Sequence, residues 1–294
     1  MPESLEEAIE LLNHYDGRAQ VIGGGTDLLL EIQQGLKPPV EAMVDPGRID
    51  GLNRITLEEG QIIIGCGVSH SRIIADENII QRGTCLVEGC GVIGGPQVRN
   101  VGTLAGNVAH ALPAADGTIA LLALDGEIEL AEAGGTRWIP LQAVFLGPGK
   151  SVIDHHRTLL TRLRFKATAA DEGSAFYRVM RPQGVALPMI AMAVRLRLDK
   201  QDHIASIRIS IGPAGPVPYL AEPAMKMLIG GPASPERFSK AAAAVLAEIS
   251  LRSSKYRATR EYRTEMIRTH LPALLARAAK RAVAGNVVPE GIGQ

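Results

Sequence analysis

Two glycine-rich segments contain the residues best suited to holding a phosphate-bearing ligand. The first is Ile22-Gly23-Gly24-Gly25-Thr26-Asp27-Leu28-Leu29, which follows a short apolar stretch and precedes a helical pattern. Glycine lets the backbone adopt positive φ and approach a ligand without an intervening Cβ. Between a strand and a helix N-terminus, backbone N–H groups and the Thr26 hydroxyl are donors suited to a pyrophosphate. The segment alone is equally consistent with a tight turn, and its spacing is not that of a dinucleotide Rossmann fold.

The second segment, GGPQVRNVGTLAGN at residues 94–107, mixes glycines with hydrogen-bonding side chains. Such a stretch makes a poor helix interior and a poor strand, so it is predicted to be a long loop that serves binding. Asp116 follows at the start of a predicted helix. Its carboxylate either bonds the N-terminal amides of that helix, which the residue alone favours, or holds ribose or ribityl hydroxyls.

Composition excludes several other functions for the 294 residues. The formal net charge is zero and aromatic residues are 3% of the chain, which argues against nucleic-acid binding. No apolar run approaches the roughly 20 residues of a membrane span, and the N-terminus has no signal-like leader, so a cytoplasmic location is expected. Cys66, Cys85 and Cys90 lack a CxxC spacing and are too few for an iron–sulfur cluster, so they are predicted to be packed or surface thiols, and no metal site is expected.

The elements that must position these residues alternate between helices and strands. Ser4 and Glu7 form a capping box that predicts a first helix. The remaining patterns predict strands at 20–22, 43–44, 61–65, 127–131 and 158–165, a hairpin of 192–198 with 204–211, and helices at 27–34, 114–124, 222–229, 235–251 and 260–284. The pattern breaks near residues 168–173. This mixture predicts an α+β fold.

The two motifs, taken together and in this order, strongly resemble the FAD-binding subunit of the xanthine dehydrogenase and carbon monoxide dehydrogenase family. GGGTDLL is followed about 70 residues later by QVRNVGTLAGNVAHALPAADGTIALLALD. Three further segments are similar to the family: GPGKSVIDHHRTLLTRLRF, SAFYRVMRPQGVALPMIAMAVRLRLD and KYRATREYRTEMIRTHLPALLARA. The resemblance therefore covers essentially the whole chain.

The resemblance implies the FAD-binding fold of para-cresol methylhydroxylase and vanillyl-alcohol oxidase. The implied FAD-binding domain spans residues 1–169, with two α/β subdomains at about 1–52 and 53–169, and a C-terminal α+β domain of antiparallel strands and helices spans 173–285. The residues that would hold FAD are Ile22, Gly23, Gly24, Gly25, Thr26, Asp27, Leu28, Leu29, Gly94, Thr103, Leu104, Ala105, Gly106, Asn107, Asp116, Leu160 and Arg178. Leu160 and Arg178 would lie near the isoalloxazine ring, and no catalytic acid or base is expected.

Two positions depart from the family pattern. Ala105 stands where glycine is usual, so a methyl group would face the cofactor loop and φ must be negative unless strain is accepted. Arg178 stands where lysine is common. The cysteine-rich insertion of the hydroxybenzoyl-CoA reductase branch is absent. His110 either touches the flavin or is a hydrogen-bonded loop residue, and His155-His156 is expected to be solvated.

The resemblance also implies a function shared between chains. Two-iron two-sulfur clusters on a small subunit would receive electrons from a molybdopterin site on a large subunit and pass them to FAD here, in a dimer of heterotrimers. An external acceptor would then take the electrons. Two alternatives are a self-sufficient flavin oxidoreductase of the same fold, similar to the enolpyruvyl-UDP-GlcNAc reductases, and an assembly subunit that has lost FAD.

Overall fold

A computed structural model describes residues 1–181, 187–255, 257–284 and 287–291. Residues 182–186 and 256, which belong to two of the segments that carry the resemblance, and residue 285, the expected end of the C-terminal domain, lie outside the described residues. The helices are α1 (Leu5–Tyr15), α2 (Leu28–Gln33), α3 (His70–Ala75), α4 (Glu77–Arg82), α5 (Thr84–Gly91), α6 (Pro96–Val101), α7 (Leu104–Ala109), α8 (Asp116–Ala123), α9 (Glu222–Leu228), α10 (Pro235–Glu248) and α11 (Arg260–Ala284).

Strands are shorter and are arranged in separate sheets. They are β1 (Ala19–Val21), β2 (Ala42–Val44), β3 (Ile55–Glu58), β4 (Gln61–Gly65), β5 (Glu127–Glu132), β6 (Gly135–Pro140), β7 (Phe145–Gly147), β8 (Lys150–Ser151), β9 (Leu159–Lys166), β10 (Glu172–Val179), β11 (Ile190–Leu198), β12 (Ile204–Gly212) and β13 (Tyr219–Leu220). β1 and β2 form a parallel pair, and β7 and β8 form a small antiparallel pair.

The chain begins as its local sequence predicts. Ser4 is the N-cap of α1, and its hydroxyl accepts a hydrogen bond from the Glu7 amide. Ala8, Ile9 and Leu12 form the buried face of the helix, as expected for an amphipathic helix with apolar residues three and four apart. The α1 helix packs beside the β1–β2 pair. It therefore supports the end of β1, where the first glycine segment begins.

A five-stranded antiparallel sheet in the order β3-β4-β9-β5-β6 supports the second glycine segment. Alternate residues of β4 and β9, including Ile62, Ile64, Leu163 and Phe165, are buried in the first hydrophobic core. Leu104 of α7 belongs to the same core. Burial of these apolar side chains therefore fixes α7 above the sheet.

The second sheet, β10-β11-β12-β13, is antiparallel and is covered on both faces. α5 and α8 pack on one face, and α11 packs on the other. Along β11 the small residues Ala191 and Ala193 belong to the first core, whereas Ile190, Met192 and Val194 belong to a second core with α11. Successive strand residues point to opposite faces, so this one strand contributes to both cores.

Most elements predicted from sequence are confirmed, including α1, the β11–β12 hairpin and α11 with its predicted bounds. The prediction that residues 94–107 form one long loop is wrong. The α6 helix and most of α7 lie there, because Gly95 and Gly102 stand at helix ends and Thr103 caps α7. The glycines therefore separate two short helices.

The three cysteines are free and buried. Burial raises the pKa of the Cys66 and Cys85 thiols to about 12 and that of the Cys90 thiol further. These thiols are therefore packed and unreactive. Within the described ranges, no helix is long and apolar enough to cross a membrane.

Candidate functional site

The first glycine segment connects β1 to α2. At its start, the Ile22 amide donates a backbone hydrogen bond of 3.0 Å to the Val44 carbonyl of β2. Gly25 has a φ of +69°, a conformation that favours glycine. Gly24 has a different requirement, since a Cβ built on it would lie 1.9 Å from the Val101 carbonyl oxygen. Gly24 is therefore required by contact with the second segment, which is a different reason from the approach of a ligand expected from the sequence.

The second segment meets the first along the start of α7. A Cβ on Gly23 would lie 3.0 Å from the Thr103 hydroxyl, which itself accepts a 3.0 Å hydrogen bond from Gly106 N. Gly94 has a φ of +51°. The Arg99 guanidinium, 9% exposed, donates to the Gly94 carbonyl at 2.8 Å. The two glycine segments are thus packed against each other and form one continuous surface.

Ala105 lies inside α7 and does not have positive φ, as expected for an alanine at this position. Ala105 is 7% exposed and belongs to the first core, and the expectation that its methyl group faces the cofactor loop stays a prediction. The neighbouring Leu104 is fully buried in that core. α7 therefore uses both side chains for packing.

Asn107 caps the N-terminus of α8. Its side-chain Oδ1 accepts hydrogen bonds from Thr118 N at 3.0 Å and from the Thr118 hydroxyl at 3.1 Å. This helix-capping role was expected of Asp116, whose side chain makes no such bond. Asn107 of the second glycine segment therefore satisfies an N-terminal amide of α8, and the Asp116 carboxylate remains available to another partner.

That partner is Arg178 of β10. Arg178 Nη1 lies 2.8 Å from Asp116 Oδ2, and the two side chains are 6% and 5% exposed. Asp116 Oδ1 and Arg178 Nε are also buried, and each lacks a hydrogen-bond partner among the described residues. Burial raises the pKa of the Asp116 carboxyl to about 7, although Arg178 opposes the shift. The buried pair thus retains one acceptor and one donor without a described partner, and a ligand hydroxyl could bond to such a group.

Leu160 lies in β9 opposite Leu130 and is 5% exposed in the first core. Its expected place beside an isoalloxazine ring stays a prediction. On α2, by contrast, none of the residues is buried, and Leu29 is 49% exposed. Leu29 covers Gly25, because its Cδ1 would be 3.0 Å from a Cβ placed there.

Two residues that sequence reasoning missed belong to this region. His70 is the first residue of α3 and is 2% exposed. Its amide donates a hydrogen bond to the Gly102 carbonyl at 2.9 Å. Its ring Nδ1 is buried and has no hydrogen-bond partner among the described residues. Burial, and then the Arg99 charge, lower the pKa of His70 to about 4. Glu31 of α2 accepts from His110 Nε2 at 2.9 Å. The only sequence signal for Glu31 is its position four residues after Asp27 on one helix face.

His110 is the C-cap of α7 and is hydrogen-bonded to Glu31, as expected from the second of its two alternatives. A contact between His110 and the flavin stays a prediction. The expectation that His155-His156 is solvated is wrong, because both residues are half-buried. His156 Nδ1 lies 2.6 Å from Ala19 O, and the His155 carbonyl accepts from Val21 N, so this segment pairs with β1.

Two protein-family models match the chain. The first, described as the FAD binding domain in molybdopterin dehydrogenase, matches residues 1–165. The second, described as the CO dehydrogenase flavoprotein C-terminal domain, matches residues 175–279. Together they include both glycine segments, strands β11–β13 of the second sheet and β10 from residue 175 onward.

Similar proteins cover nearly the whole chain. The xanthine dehydrogenase FAD-binding subunit of Escherichia coli O157:H7 is 27% identical over 281 residues, covering 95% of this chain and 94% of that protein. The carbon monoxide dehydrogenase medium chain of Hydrogenophaga pseudoflava is 28% identical, covering 95% and 96%. A solved structure of carbon monoxide dehydrogenase from Hydrogenophaga pseudoflava superposes with a TM-score of 0.88 at 26% identity, covering 95% of this chain and 96% of that chain.

Proposed function

The chain belongs to the family of FAD-binding subunits of molybdopterin dehydrogenases, and we propose that it binds one FAD non-covalently and relays electrons through it. As an oxidoreductase flavoprotein subunit it works within a molybdenum hydroxylase complex. The finer proposal is that reduced two-iron two-sulfur clusters on a small partner supply the electrons. A large molybdopterin subunit oxidises the organic substrate, and an external acceptor takes the electrons from FAD.

The observation that carries FAD binding is the Asp116–Arg178 pair beside the joined glycine segments. Asp116 Oδ1 and Arg178 Nε are buried without described partners, and burying such groups unpaired is costly. A ribityl or ribose hydroxyl can donate to a carboxylate oxygen and accept from an N–H, so FAD would supply partners of the required kind. The glycine segments supply backbone N–H groups for the pyrophosphate. The residues present therefore fit FAD.

The chemistry of this site belongs to FAD, which accepts and returns electrons when bound. The protein's residues bind it and shape its environment. Thr26, Thr103 and the backbone N–H groups of the glycine segments would hold the pyrophosphate. Asp116 would hold ribityl or ribose hydroxyls, and Leu160 and Arg178 would lie near the isoalloxazine ring. A reducing cytoplasmic location, in which the three free cysteines would stay reduced, is part of the proposal.

A reconstitution experiment separates this function from its two alternatives. The purified chain should bind FAD, and acid precipitation should release all of it. The bound flavin should bleach with dithionite and recover with an acceptor, but purines, carbon monoxide or aromatic aldehydes should leave it oxidised. Adding the cluster and molybdenum subunits should restore reduction by the proper substrate.

Two results would replace the proposal. Turnover of an organic donor by the single chain at about 1–1000 per second would identify a self-sufficient flavin oxidoreductase. Failure of the folded chain to take up FAD would favour the assembly subunit. Flavin left in the acid pellet would overturn the non-covalent attachment.

A further inference from the structure

The imidazole of His110 lies between two carboxylates of the first glycine segment and α2. His110 Nε2 is 2.9 Å from Glu31 Oε1, and Nδ1 is 3.9 Å from Asp27 Oδ1. Asp27 and Glu31 are four residues apart, so they share one helix face. The side chains of His110 and Glu31 are 19% and 23% exposed, whereas Asp27 is 59% exposed. The contact with Glu31 is therefore the sheltered one.

Glu31 carries its charge in this contact. Burial tends to raise the pKa of its carboxyl, but hydrogen bonds from Lys37 and His110 outweigh burial and lower it. Lys37 Nζ lies 2.8 Å from Glu31 Oε2. The bond from the imidazole to Glu31 is consequently assisted by charge, and such bonds are stronger than neutral ones.

This contact lies away from the place where the two glycine segments touch. Gly23 and Gly24 meet residues 101–103 just before α2 and α7 begin. His110 lies seven residues after Thr103, at the other end of α7, which corresponds to about 10 Å at the helical rise of 1.5 Å per residue. Glu31 lies within α2, beyond the glycines. The contact between the glycine segments alone would leave a hinge between the two short helices, and a second contact at the far end of α7 fixes the angle between them.

We propose that Glu31 and His110 form a latch that holds α2 against α7 and thereby keeps the two glycine segments in register around FAD. The two residues are positioning residues for the cofactor. This inference rests on the proposed function. Because α2 has no buried side chain of its own, its orientation depends on contacts such as the latch, and loss of the latch should speed the release of FAD.

The test compares FAD retention in Glu31→Ala and Glu31→Gln with that in the matched control Glu41→Ala. Glu41 lies just before β2 and pairs with Arg18 at 2.5 Å on an exposed surface, with side chains 56% exposed. The dissociation rate and dissociation constant of FAD should rise about tenfold in Glu31→Ala, less in Glu31→Gln, and less than twofold in the control. Flavin fluorescence on release gives both quantities.

Thermal unfolding of the FAD-free proteins separates positioning from general stability. The latch predicts that Glu31→Ala and Glu41→Ala unfold at similar temperatures without FAD, and that only Glu31→Ala gains less from added FAD. If Glu31→Ala lowers the unfolding temperature but leaves the FAD dissociation rate unchanged, the latch is overturned while FAD binding stands. If the wild-type chain itself takes up no FAD, the proposed function falls and the latch falls with it.

A double-mutant cycle with His110→Gln tests the pairing itself. If Glu31 and His110 act through each other, the double variant should lose no more FAD affinity than the more severe single variant. Fully additive losses would show two independent contributions and would overturn the latch.

Discussion

The Cα of Gly24 lies so close to Val101 that a Cβ built there would be 1.9 Å from the carbonyl oxygen and 2.5 Å from the carbonyl carbon. Backbone atoms cannot move aside as a flexible side chain can. Gly24→Ala should therefore separate the two glycine segments and lower the free energy of unfolding by about 1–3 kcal/mol or more. It should also weaken FAD binding. Urea unfolding of the FAD-free protein measures the first effect, and flavin titration the second.

The control for Gly24→Ala is Gly134→Ala. Gly134 has no atom within 4 Å of a built Cβ and does not have positive φ, so this change should alter the free energy of unfolding by less than about 0.5 kcal/mol. Equal stability of the two variants would contradict the close contact of the glycine segments.

His70 gives the site a dependence on pH. Because burial lowers the pKa of its imidazole to about 4 from an ordinary 6.5, the unfolded chain binds a proton between those values that the folded chain refuses. Stability from this residue is thus complete above pH 6.5 and is lost as the pH falls towards 4. Between pH 7 and pH 5 the loss should be about 2 kcal/mol.

Replacing His70 with leucine removes the titrating group while keeping a side chain of similar size. Between pH 7 and pH 5, the free energy of unfolding of His70→Leu should fall by about 2 kcal/mol less than that of the wild-type protein. His14→Leu, on the exposed surface of α1, is the control for replacing a histidine with leucine elsewhere in the chain. An unchanged pH profile in His70→Leu would show that the imidazole is not kept neutral.

At the scale of elements, the outer edge of β10 is covered by a buried ion pair. Arg281 of α11 lies 2.6 Å from Glu88 of α5, with side chains 7% and 1% exposed. Arg281 donates to the Ser174 carbonyl at 2.8 Å, and Glu88 accepts from the Phe176 amide at 2.8 Å. These are outward-facing backbone groups of an edge strand, so the ion pair satisfies them as a neighbouring strand would.

Removing one member of this pair leaves the other charged and buried. Arg281→Met should lower the free energy of unfolding by about 3–5 kcal/mol. Arg268→Met, which breaks the exposed Arg268–Glu265 pair on the same helix (62% and 54% exposed), should cost less than about 1 kcal/mol. Chemical denaturation compares the two. A similar small cost for both would contradict the burial of the pair.

The sequence predicted correctly those helices and strands whose own residues have a distinctive periodicity or capping pattern. The capping box at Ser4, the alternation in β11 and β12, and the long pattern of α11 each contain enough periodicity or end chemistry to specify an element. α3, α4 and α5 were missed, as was the correct character of residues 94–107. α5 is buried throughout, so its sequence has no polar face to set a period. In α6 and α7 the glycines obscured two helices of six residues each.

The site was predictable in its segments but less so in its side-chain contacts. Both glycine segments were identified from composition and order, and the structure packs them together. The roles of Asn107, Glu31 and His70 depend on which distant elements meet, which no local spacing encodes. Asp116 illustrates this, because its partner Arg178 is 62 residues away and Asn107 takes the capping role expected of it. The FAD contacts of these residues stay predictions.

At the scale of the whole molecule, the two cores share the sheet β10–β13. α8 is attached to that sheet at both ends. At its N-terminus Asp116 pairs with Arg178. At its C-terminus Arg208 and Arg195 donate to the carbonyls of Leu122 and Leu124 at 3.3 and 3.2 Å, where cations stabilise a helix dipole. Unfolding the second core alone would therefore expose the apolar faces of α5 and α8 and break buried polar contacts.

We accordingly expect the FAD-free chain to unfold in one cooperative transition, despite the boundary predicted near residues 168–173. Gly212 supports this expectation, because a Cβ there would lie 2.3 Å from the Pro113 carbonyl oxygen, so β12 of the second sheet is packed directly on the segment just before α8. Differential scanning calorimetry should give a single peak whose calorimetric and van't Hoff enthalpies agree. FAD at 100 times its dissociation constant should move that whole peak upward, since it adds about 2.7 kcal/mol to the folded state. Two separated peaks, with FAD shifting only one of them, would show that the cores fold independently.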